Sequence, residues 1–61
     1  MQKKYGGMTV NERLYVSGLM EKFEHAVNEG NTSLIVSILE DVELTEANII
    51  PILENLGLKK E

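Results

Sequence analysis

From residue 9 onward the apolar residues recur at helical spacing, whereas residues 1–8 show no period and carry Gly6-Gly7. A stretch of that kind reads as a disordered tail or an upstream extension, with Met8 a candidate start. Order is expected to begin at Thr9-Val10-Asn11-Glu12. In that spacing the Thr9 hydroxyl can accept from the Glu12 backbone N–H while the Glu12 carboxylate reaches back to Thr9, a capping box. Tyr15, Val16, Leu19, Met20, Phe23, Ala26 and Val27 then fall on one broad stripe at 100° per residue. Ser17, Glu21, Glu24 and Asn28 lie opposite. Gly30 supplies a left-handed stop. The pattern predicts one long helix over residues 10–28, about 28 Å at 1.5 Å per residue.

Asn31, Thr32 and Ser33 can each cap a second helix, whose stripe is Leu34, Ile35, Ile38, Leu39 and Val42, with Val36 pointing away. A third helix starts from Thr45 and buries Ile49, Ile52, Leu53 and Leu56. Pro51 interrupts it, because the ring and the missing N–H both oppose a helix interior. Either the helix kinks there or it starts late enough to place Pro51 in its first turn. Gly57 ends it, and Leu58 is positioned to pack back on Leu53. The expectation is all-α: a small three-helix bundle with a long first helix and two shorter ones. Residues 9–58 form its single domain, and residues 59–61 a short charged tail.

Charge changes this picture more than length does. The chain of 61 residues carries −4 overall, but residues 21–54 hold eight acids against Lys22 alone, a net −7. Such a body repels a phosphate backbone or an anionic membrane surface, so neither nucleic acid nor membrane is an expected partner. No apolar run approaches the roughly 18 residues of a membrane span. The absence of cysteine excludes disulfides, thiolate metal sites and cysteine nucleophiles.

Candidate chemistry is sparse. His25 is the one histidine, with Glu21 and Glu24 on its approach, and two ligands on one helix do not make a stable metal site. Asp41-Val42-Glu43-Leu44-Thr45-Glu46 superficially resembles a calcium loop. It lacks the sixth-position glycine and has Ile52 where the closing glutamate belongs. Ser17, Ser33 and Ser37 sit in helical or cap positions with no strand-turn-helix elbow. No enzyme, cofactor or metal is expected.

Asn11-Glu12-Arg13-Leu14-Tyr15-Val16-Ser17-Gly18-Leu19, with Phe23 and Val42-Glu43-Leu44, resembles a group of short uncharacterised bacterial proteins. The resemblance spans most of residues 8–58 and implies a compact domain of bacterial, cytoplasmic origin. It carries over no activity and no site residue.

A domain this small buries only about 60% of its unfolded surface, so association is a common remedy. Leu14 lies off the predicted stripe, and Gly18 follows one turn later, incidental or marking the close approach of another helix. The candidate interface is therefore Leu14, Tyr15, Gly18 and Val36. The expected function is a non-enzymatic protein–protein interaction module, self-associating through the first helix or docking on another protein. The alternative is a small acidic regulator or inhibitor that binds a basic protein surface, in the manner of a nucleic-acid charge mimic.

Overall fold

A computed structural model describes residues 5–58, so the expected charged tail at 59–61 and the first four residues lie outside the described part. The described residues are all-α: α1 Val10–Ser17, α2 Met20–Glu29, α3 Thr32–Asp41 and α4 Glu46–Asn55. Consecutive helices pack on one another, α1 on α2, α2 on α3 and α3 on α4.

Four helices stand where three were expected, because the first predicted helix is broken at Gly18. Its φ is +78°, the left-handed region that ends a helix. Gly18 N–H donates to the Tyr15 carbonyl at 3.2 Å and Leu19 N–H to the Leu14 carbonyl at 3.0 Å, which is a Schellman closure. A Cβ at Gly18 would meet nothing within 4 Å. Gly18 is thus neither incidental nor a site of close helix approach; it is a stop signal followed by an immediate restart.

The same closure recurs at every helix end. Asn31 N–H bonds the Ala26 carbonyl around Gly30, and Leu58 N–H bonds the Leu53 carbonyl around Gly57. At the end of α3 the left-handed position is held by Glu43, at φ 68°, with Leu44 N–H on the Leu39 carbonyl. Helix starts follow the sequence more closely. Thr9 N–H donates to Glu12 Oε1 at 2.9 Å and Glu12 N–H to Thr9 Oγ1 at 3.2 Å, so the capping box forms. Asn31 caps α3 by accepting from Leu34 N–H. Thr45 is the N-cap of α4. Pro51 is the sixth residue of α4, so a start delayed to bring it into the first turn is not what occurs. Its side is exposed.

Two clusters of buried side chains make the core. Ala26, Ile35, Leu39, Ile49 and Leu53 form one, and Tyr5, Leu14, Ile38 and Val42 the other, with half-buried Phe23 packed against both. Tyr5 is only 4% exposed. The expected tail therefore gives way to structure from Tyr5, where a turn returns Met8 N–H to the Tyr5 carbonyl at 3.1 Å.

Candidate docking surface

Leu14, expected to project outward, is 0% exposed and belongs to the second cluster. The correction follows from Gly18. A helical projection holds only while the axis continues, and the left-handed residue resets both axis and phase. In α1 the inward position is Leu14, and its neighbours on the predicted stripe turn outward: Tyr15 is 79% exposed and Val16 58%. Gly18 is exposed and Val36 half-buried, packed against the first cluster. Of the four expected interface residues, Tyr15 is the one that presents a large exposed apolar side chain, although it shares with Val16 the stripe expected to face the core.

Tyr15 and Val16 line a shallow groove that also takes in Asn11 and Glu12 of α1 and Met20 and Glu24 of α2. The spacing explains it. Asn11, Glu12, Tyr15 and Val16 are paired at i and i+4 on one side of α1, and Met20 and Glu24 are paired likewise on α2. The groove is thus lined by apolar Tyr15, Val16 and Met20, with one carboxylate from each helix, Glu12 and Glu24. Arg13 is held elsewhere. Its Nε donates to the Met8 carbonyl at 3.1 Å and its Nη1 to the Val42 carbonyl at 2.9 Å, fastening α1 to the end of α3.

The remaining candidates have structural uses. His25 Nδ1 lies 3.4 Å from Glu29 Oε2, an exposed i,i+4 pair involving neither Glu21 nor Glu24. Among the described residues no three His, Asp or Glu side chains come together as metal ligands. The calcium-like segment spans the α3–α4 link, where the Arg13 guanidinium gathers the Val42 and Glu43 carbonyls at 2.9 and 3.4 Å. The Ser17 hydroxyl donates to the Leu14 carbonyl at 3.1 Å, closing the end of α1. No described helix is long and apolar enough to cross a membrane.

Comparison with protein families, curated proteins and solved structures gives no match. What the chain does must be read from its own surface.

Proposed function

We propose that the protein is a non-enzymatic interaction module that docks a protein partner on the outer face of α1 and α2. The observation that carries this reading is the adjacency of Tyr15 and Val16, both more than half exposed, along one shallow surface with Met20. Clustered exposed apolar groups are what an interface core uses, and tyrosine supplies large contact area at a small entropy cost. A cytoplasmic location, implied by the resemblance of the opening stretch, belongs to the same proposal.

Self-association is the second reading, favoured by the apolar surface left on so small a chain: Tyr15, Val16, Ile50 and Leu56 are all exposed. A two-fold pairing of this groove with its copy would bring Glu12 and Glu24 toward their own copies, and like charges oppose that arrangement. An acidic regulator would use the same groove on a basic protein, whose charge Glu12 and Glu24 attract rather than repel.

A photocrosslinking phenylalanine analogue placed at Tyr15, and separately at exposed Lys22, separates these readings. Adducts are expected from position 15 in native cells and not from position 22. A product of twice the chain mass would mark self-association. Equal labelling from both positions would remove the docking surface.

A further inference from the structure

We infer that the occupant of the α1–α2 groove is a cationic amphipathic segment of a partner protein, with an apolar side chain flanked by lysine or arginine. The inference rests on the docking surface proposed above and specifies its partner. The first ground is composition of the lining. Its apolar part is Tyr15, Val16 and Met20, its charged part is Glu12 and Glu24, and none of the described residues that line it is a cation. A neutral apolar groove would accept many ligands, but here any segment that covers Tyr15 brings its flanks toward carboxylates. A flanking glutamate is repelled and a flanking lysine attracted.

The second ground is where the nearby cations are. Arg13, in the same helix as Tyr15, has its guanidinium committed to the Met8 and Val42 carbonyls. Lys22 lies about 160° around α2 from Glu24 at 100° per residue, away from the groove side. Among the described residues, neither cation faces the two rim carboxylates. Residues 21–54, Glu24 among them, carry a net −7, which steers a cationic segment toward the molecule before contact is made.

The third ground is the division of labour between the two carboxylates. Glu12 Oε1 already accepts from Thr9 N–H in the capping box. Glu24 has no such duty in the hydrogen-bond pattern of a helix start, being the fifth residue of α2. Glu24 is therefore the carboxylate to reverse when charge recognition is tested, since a change at Glu12 would also weaken the helix.

The test titrates a short helix-forming peptide, leucines on one face and lysines beside them, into the full nitrogen-15-labelled chain while amide signals are followed by NMR. The expected result is saturable shifts confined to residues 11–16 and 20–24, with affinity falling steeply as salt rises from about 50 to 500 mM. Tyr15→Ser should weaken binding at least about tenfold, as loss of an interface anchor does, while the melting temperature holds because the side chain is exposed. Glu24→Lys should weaken it about fivefold or more.

Two control peptides decide the chemistry. If glutamates replace the lysines and binding to the groove is undiminished, the partner assignment is overturned while the docking surface stands. If serines replace the leucines and binding is undiminished, the acidic body attracts cations diffusely, and the inference fails on its apolar half. Shifts located elsewhere, or none with any peptide, would overturn the inference and the docking surface together.

Discussion

At the scale of single residues, Leu14 and Glu43 are the informative positions. Leu14 is fully buried, so Leu14→Ala removes packed methyl groups and should cost about 2–5 kcal/mol, read from urea denaturation. Leu14→Glu should abolish folding outright, because a carboxylate would be stranded in an apolar cluster. A folded Leu14→Glu chain would place this side chain at the surface after all. Glu43 holds a left-handed conformation that disfavours any residue with a Cβ. Glu43→Gly should raise stability by about 1 kcal/mol, and a loss on substitution would mean the Glu43 side chain contributes more than its backbone costs.

At the scale of elements, the break between α1 and α2 gives a prediction whose sign decides it. In a continuous helix, Gly18→Ala would stabilise the chain by about 1 kcal/mol. At φ +78° the same change should destabilise it by about 1–2 kcal/mol, and open space around Gly18 means that backbone strain alone is responsible. Thermal melting of this one variant distinguishes the two. The break also marks how far the sequence could be read. The starts of α1 and α4 were legible because capping is local chemistry: Thr9 with Glu12, then Thr45, announce themselves within four residues, whereas α2 starts after Leu19 with no side-chain cap to announce it. The ends at Gly30 and Gly57 were legible for the same reason. Gly18 was not, since Tyr15, Val16, Leu19 and Met20 continue a helical stripe through it. A continuous apolar pattern across a C-capping glycine is compatible with one helix or two. Only the docking of Leu14 beside Ile38 and Val42 selects two. The candidate surface inherited that error, with Leu14 assigned outward and both Tyr15 and Val16 placed on the inward stripe.

At the scale of the whole molecule, the two buried clusters meet along α3, which gives Ile38 to one and Ile35 and Leu39 to the other. The links from α1 across to this helix are few, and Arg13 provides a polar one spanning 29 residues of sequence. Arg13→Ala should therefore cost about 2 kcal/mol, with the loss falling on α1 and the turn at Tyr5 more than on α3 and α4. Residue-resolved hydrogen exchange checks this distribution. Uniformly faster exchange would mean that Arg13 supports the fold as a whole. The acidity of Glu24's side of the groove could be anticipated from the −7 body, but the groove's location could not. A net charge has no place until a fold gives it one.

The groove is assembled from both sides of the Gly18 turn, with Tyr15 and Val16 before it and Met20 and Glu24 after. Its shape is therefore a property of the angle between two short helices, not of either helix. Any ligand that fills it binds only the arrangement in which α1 is seated, and by thermodynamic linkage it must hold α1 in that seat. The reverse follows with equal force. Loosening α1, at Arg13 or at Tyr5, would lower the affinity of such a ligand at a surface that neither residue lines, so that occupancy of the groove and integrity of the second cluster would act as one coupled equilibrium.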